Sequence, residues 1–124
     1  MDHSCLTEKI IGCAYRVYNT LGSGFLESVY EKCLAIEFSN IDLVADFQKS
    51  IAVFYEDHNV GSFVADILVE NEVVVELKAV RNLTVNHEVQ LVNYLAATKK
   101  SVGLLLNFGE SKVEVRRKVL FLEK

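Results

Sequence analysis

At 124 residues and 51% hydrophobic content, the chain can build one sizeable core and is too short for two ordinary domains, so residues 1–124 are read as a single domain. A net charge of -4 at pH 7 argues against a domain that holds nucleic acid by a broad basic surface, without excluding an enzyme that acts on it. The N-terminal residues show no basic segment followed by an apolar core, and no apolar run approaches the roughly 18 to 20 residues of a membrane span, so a cytoplasmic location away from membranes is expected.

From about Ser4 to Leu21, the residues Leu6, Ile10, Cys13, Ala14, Val17, Tyr18 and Leu21 recur at spacings of three and four, which predicts an amphipathic helix capped near Asp2 or Ser4. Gly22-Ser23-Gly24 ends it, and a second helix is predicted from about Phe25 to Ser39. Glu27 falls in the first turn of that helix, where a carboxylate suits the free backbone N–H groups; by spacing alone, capping explains Glu27 and packing explains Tyr30. The cysteines Cys5, Cys13 and Cys33 are odd in number and lack CxxC spacing, so they read as free thiols. After Asp42 the pattern changes to period 2, predicting a strand from about Phe47 to Glu56 and a turn at Asp57-His58-Asn59.

The segment Val60 to Val80 reads as two apolar strands around Glu70-Asn71-Glu72, with three charges set inside them: Asp66, Glu76 and Lys78. Period-2 geometry puts Glu76 and Lys78 on one face, with Val75 and Leu77 on the other. An odd-numbered loop pairing Val69 with Val73 sets Asp66 opposite Glu76, whereas a two-residue loop would set it opposite Leu77; the odd loop or an equivalent bulge is predicted. Two adjacent buried carboxylates repel and are costly to desolvate. A hard divalent cation would compensate both, and Lys78 could orient a water or stabilise charge on a phosphate. The other reading of the same residues is a half-exposed hairpin with an ordinary Glu76–Lys78 ion pair.

Beyond a connection at Arg81 to Val85, Asn86 is expected to cap a helix reaching about Lys99, with Val89, Val92, Leu95 and Ala96 as its buried stripe. His87, Gln90 and Tyr94 form a polar stripe alongside it. Ser101 to Asn107 reads as a buried strand and Lys112 to Leu122 as an alternating one. Lys99, Lys100, Lys112, Arg116, Arg117 and Lys118 could form a local basic strip or a solvated surface. The order helix, helix, three strands, helix, two strands, without proline, linker or repeat, implies a single mixed sheet with helices against it.

Five blocks of this sequence, in order, resemble the GxxExxY proteins, a small prokaryotic branch of the PD-(D/E)XK nuclease superfamily: LGSGFLESVYEKCL at 21–34, Gln48, FVADILVENEVVVELKAV at 63–80, HEVQLVNYL at 87–95 and GLLLNFG at 103–109. Ser23 stands where the family often has Pro, and Val64 where it often has Arg. The resemblance implies an α/β fold with the restriction-endonuclease-like αβββαβ core, here with an extra N-terminal helix and an extra C-terminal strand. It implies that Asp66 and Glu76 bind Mg2+ (or Mn2+), that Glu27 completes the acidic cluster as a further ligand, that Lys78 orients the attacking water, and that Gln90 belongs to the catalytic site. Tyr94, Tyr30, His87 and Gln48 are further candidates for lining it.

The implied reaction is hydrolysis of phosphodiester bonds in nucleic acid, DNA before RNA, with low sequence specificity because phosphate contacts would dominate. By analogy with small nucleases of this architecture, a homodimer is one expectation. The competing expectations are a module that keeps the fold and binds nucleic acid or regulates without turnover, and a structural assembly protein.

Overall fold

The computed structural model describes residues 3–121, and its elements follow the predicted order. Helices α1 (Ser4–Leu21) and α2 (Glu27–Asn40) precede strands β1 (Ala45–Tyr55), β2 (His58–Val69) and β3 (Val73–Lys78); helix α3 (Val85–Thr98) leads to β4 (Val102–Phe108) and β5 (Val113–Val119). The five strands form one mixed sheet in the order β1-β2-β3-β4-β5. All neighbours are antiparallel except β3 and β4, which are parallel and are joined through α3. This is the predicted α/β architecture.

Each face of the sheet carries its own core. On one face, Ile10, Cys13, Ala14 and Val17 of α1 and Tyr30, Leu34 and Phe38 of α2 pack against alternate residues of β3 and β4. On the other, Leu91 and Leu95 of α3 pack against Ala65, Leu68, Val74 and Leu105. Because β4 is covered on both faces, its sequence is a continuous apolar run rather than an alternating one. Gly103 lets α3 come close: a Cβ there would sit 2.9 Å from Leu91 Cδ1.

Several boundaries differ from the sequence reading. Ser4 is the first helical residue of α1, and the cap position is His3, whose side chain makes no capping hydrogen bond; Asp2 lies outside the described residues. Helix α3 starts at Val85 because Thr84, not Asn86, caps it. Its buried positions are Leu91, Leu95 and Thr98, while Val89 is exposed, so the helix is rotated from the predicted stripe. A short turn at Glu56-Asp57, both with positive φ, joins Tyr55 to His58 and brings His58 and Asn59 into β2. The basic residues at the C-terminal end do not make one strip. Lys118 and Arg116 pair with Glu88 on α3, whereas Arg117 turns to Thr7 on α1.

Two features of the sheet shape its rim. First, side-chain alternation slips at Gln48 and Asp66. Phe47 and Ile67 pack with the α1/α2 core, yet Ile51, Phe63 and Ala65 pack with the α3 core, although even offsets along a strand should keep one face. Gln48 has φ 51, a left-handed conformation unusual for a non-glycine residue inside a strand, and no Cα pairing joins it to Asp66 between the Phe47↔Ile67 and Lys49↔Ala65 pairs. Second, Asn107, fully buried at the end of β4, clasps the chain leaving β3. Its amide donates to Val80 O and Glu114 Oε1, both at 2.9 Å, and accepts from Val80 N–H; Glu114 in turn accepts from Leu83 N–H.

Replacing Asn107 leaves these partly buried backbone groups without their partner. Asn107→Ala should cost about 3 kcal/mol of stability, read by urea denaturation as a lower midpoint with an unchanged slope.

Candidate functional site

The site is built where β2 and β3 part. Backbone pairing between them runs from Val69↔Val73, across the three-residue loop that the sequence predicted, through Ile67↔Val75 and then stops. One residue further along, at Asp66 and Glu76, side chains replace the ladder. Leu77 N–H donates to Asp66 Oδ2 at 2.8 Å, and Asp66 N–H donates to Glu76 Oε2 at 3.1 Å. Two backbone donors that the separating strands would otherwise leave unpaired are satisfied, and both carboxylates are held in place.

This arrangement crowds negative charge. The Glu76 carboxyl is pushed up to about 7, first by burial and then by the Asp66 carboxylate, with Glu27 adding to the effect; the Asp66 N–H and the Lys78 ammonium oppose it. Glu27 and Lys78 are therefore electrostatically part of the same site. A cleft of about 210 Å³ opens beside the pair, lined by Glu27, Ser28 and Glu31 of α2, Gln48 of β1, Asp66 and Leu77. Gln48 Nε2 donates to Glu31 Oε1 at 2.8 Å and lies 3.5 Å from Asp66 Oδ1, so the kinked residue of β1 bridges α2 to the acid on β2. Strain at Gln48 thus coincides with the cleft, a common association of unusual backbone with functional sites.

Of the residues singled out in the sequence, Glu27, Asp66, Glu76, Lys78 and Gln48 come together here. Others have different placements. Tyr30, a candidate for lining the site, is completely buried: it stacks on Phe108 at 4.2 Å, and its hydroxyl donates to Gly22 O and accepts from Phe25 N–H. Together with Gly24, whose φ of 97 favours glycine, Tyr30 clasps the loop that presents Glu27. His87 closes the capping box of α3, its Nδ1 accepting from Thr84 N–H. Tyr94 stacks on Phe63 with centroids 3.9 Å apart. Gln90 is exposed on α3 and does not line the cleft. The sequence reading missed Glu31, whose signal was its i+4 spacing from Glu27 on one helix face.

The donor set fits a hard divalent cation. It is all oxygen, the two carboxylates each spend one oxygen on a backbone amide, and the charge they concentrate is what such an ion neutralises. Among the described residues no three His, Cys, Asp or Glu side chains converge closely enough to ligate one ion. Glu27 therefore does not join Asp66 and Glu76 in one ligand cluster here, and a divalent cation at this site would have that pair as its protein ligands.

The charge state of Glu76 has a consequence for stability. Its folded pKa lies above the ordinary 4.5, so its contribution is complete below about pH 4.5 and is lost as pH rises through about 7. Without divalent ions, wild type should lose up to about 3 kcal/mol between pH 5 and pH 8 relative to Glu76→Gln, measured by chemical denaturation of both proteins at each pH.

The solved structure of SSO0001 superposes with a TM-score of 0.57 at 18% sequence identity, covering 98% of this chain. The chain spans 60% of the length of that protein, and the likeness shows a shared fold. No curated protein matches the sequence significantly. The family model described as the PD-(D/E)XK nuclease superfamily matches residues 4–118, nearly the whole chain and every element of the sheet. The chain belongs to the PD-(D/E)XK nuclease superfamily.

Proposed function

We propose that this protein is a metal-dependent nuclease of the GxxExxY branch that hydrolyses phosphodiester bonds in DNA. The observation that carries the reading is the locked carboxylate pair: Asp66 and Glu76 are held by the backbone amides of Leu77 and Asp66 at the rim where β2 and β3 separate, with Lys78 two residues on. A protein that needed only a stable hairpin would gain nothing by placing two mutually repelling acids there.

In this reading Asp66 and Glu76 hold Mg2+ or Mn2+. Such an ion, when bound, polarises the scissile phosphate and lowers the pKa of a water. Lys78 orients the attacking water and offers its ammonium to the charge that develops on the phosphate as the new P–O bond forms and the leaving oxygen departs. Gln48 and the Leu77 amide keep Asp66 aligned, and Glu27 and Glu31 would offer carboxylate acceptors to the attacking water from α2. The acidic balance of the chain suits phosphate contact confined to this site, and sequence preference should be low.

One observation favours the rival reading, a binding module without turnover: among the described residues no third ligand converges on the acids. The same experiment separates the two. In millimolar Mg2+ or Mn2+, wild type should gain a few degrees in Tm and cleave DNA, and Asp66→Ala should lose both responses while remaining folded. Lys78→Ala should keep the metal-dependent Tm shift and lose about 100-fold or more in cleavage rate, since it removes positioning rather than the ion. A wild type that binds DNA yet neither shifts with metal nor cleaves would establish the binding module.

A further inference from the structure

A second depression lies against the loop that presents Glu27. Its volume is about 270 Å³, and it is walled by Ser23 and Phe25 before α2, by Val80 and Arg81 after β3, and by Phe108 at the end of β4 and Glu110 beyond it. Phe25 is two residues from Glu27, and Val80 is two residues from Lys78, so the two hollows are built on neighbouring stretches of the same segments.

The walls are rigidly held, and by groups unconnected with the acids. The Tyr30 hydroxyl ties Gly22 O to Phe25 N–H, the Tyr18 hydroxyl donates to Gly109 O at 2.8 Å, and Asn107 clasps both backbone groups of Val80. A Cβ at Gly109 would lie 2.9 Å from Lys112 O, so the third wall packs backbone on backbone. Within this frame the Phe25 ring stands perpendicular to Tyr30 at 6.1 Å and remains 43% exposed. An exposed aromatic by itself means little. Here it is fixed on the side of a preformed hollow that also carries an arginine, and preformed hollows with an apolar wall and a few polar groups are what small planar ligands use. Arg81 pairs with Glu110 at 2.8 Å, but both side chains are well exposed, and such a surface pair is weak enough for a phosphate to displace.

We propose that this hollow holds one unpaired nucleotide next to the scissile phosphate, its base stacked on Phe25 and its phosphate met by Arg81; the proposal rests on the nuclease reading for the identity of the strand. Stacking on a side chain requires a base whose face is free, so the hollow selects single-stranded or frayed ends over continuous duplex. It selects them without regard to sequence, since every base has a π-face.

The test uses the whole chain with Ca2+ in place of Mg2+, and a short single strand carrying a fluorescent adenine analogue that is quenched on stacking, against a blunt duplex of the same sequence. Phe25→Leu keeps the apolar bulk, and Phe25→Trp keeps a ring. Wild type and Phe25→Trp should quench the probe, and Phe25→Leu should abolish the quench and weaken single-strand binding about tenfold, with duplex affinity unchanged. Arg81→Ala should weaken single-strand binding and reduce its salt dependence. The proposal is overturned if Phe25→Leu quenches like wild type, if it loses single strand and duplex equally, or if wild type binds no single strand. Cleavage in Mg2+ is scored separately. Quenching without cleavage would remove the nuclease reading and leave the hollow; cleavage indifferent to Phe25→Leu would do the reverse.

Discussion

Everything in the site depends on a substitution in the hydrogen-bond ladder. Where β2 and β3 diverge, the donors on Asp66 and Leu77 are met by carboxylates rather than carbonyls. Divergence of two strands normally leaves unpaired amides, which are costly in a partly buried setting; here the side chains that satisfy them are the two acids to which the proposed function assigns the metal. Position and charge are thereby coupled. The acids cannot move without exposing amides, and the amides are satisfied only while the two carboxyl groups sit close together.

The rest of the fold can be understood as support for that coupling. Continuous burial of β4 anchors the centre of the sheet, and the parallel β3–β4 pairing extends as far as Lys78↔Asn107, so the lysine leaves the sheet beside a buried amide that governs the next turn. On the α2 side, the buried Tyr30 clasps the Gly22 to Phe25 loop and so sets the position from which Glu27 and Glu31 face the cleft. The Gly-x-x-Glu-x-x-Tyr spacing then has a mechanical meaning: glycine allows the turn, tyrosine secures it and glutamate is what it presents. The slip at Gln48 is the counterpart in the sheet, turning β1 and β2 from one core to the other and aiming an amide between Glu31 and Asp66.

Three of the basic residues are engaged by neighbouring acids. Arg116 and Lys118 are occupied by Glu88, and Arg81 stands near the acidic rim against Glu110. Under the proposed function, contact with a phosphate would therefore be local to the acidic cleft rather than spread across a face.

Much of this was legible in the sequence, because it depends on spacing along one strand or helix. The apolar periods placed seven of the eight elements to within two residues or so, and the parity of the Glu70 to Glu72 loop put Asp66 across from Glu76. The family blocks led to the same superfamily. What the sequence alone could not determine was how elements rotate and where strands change faces. Val89 looked core-facing and is exposed, since the face α3 buries is chosen by the partners it meets, Gly103 among them, and not by its own stripe. Tyr30, which spacing alone assigned to packing, and His87 were candidates for lining the site and are a buried clasp and a cap, because a hydroxyl or imidazole is equally suited to either task until its neighbours are known. Glu31 and Gln48 meet only because a left-handed residue breaks the alternation of β1, and contact between residues 17 apart in sequence is a property of tertiary packing.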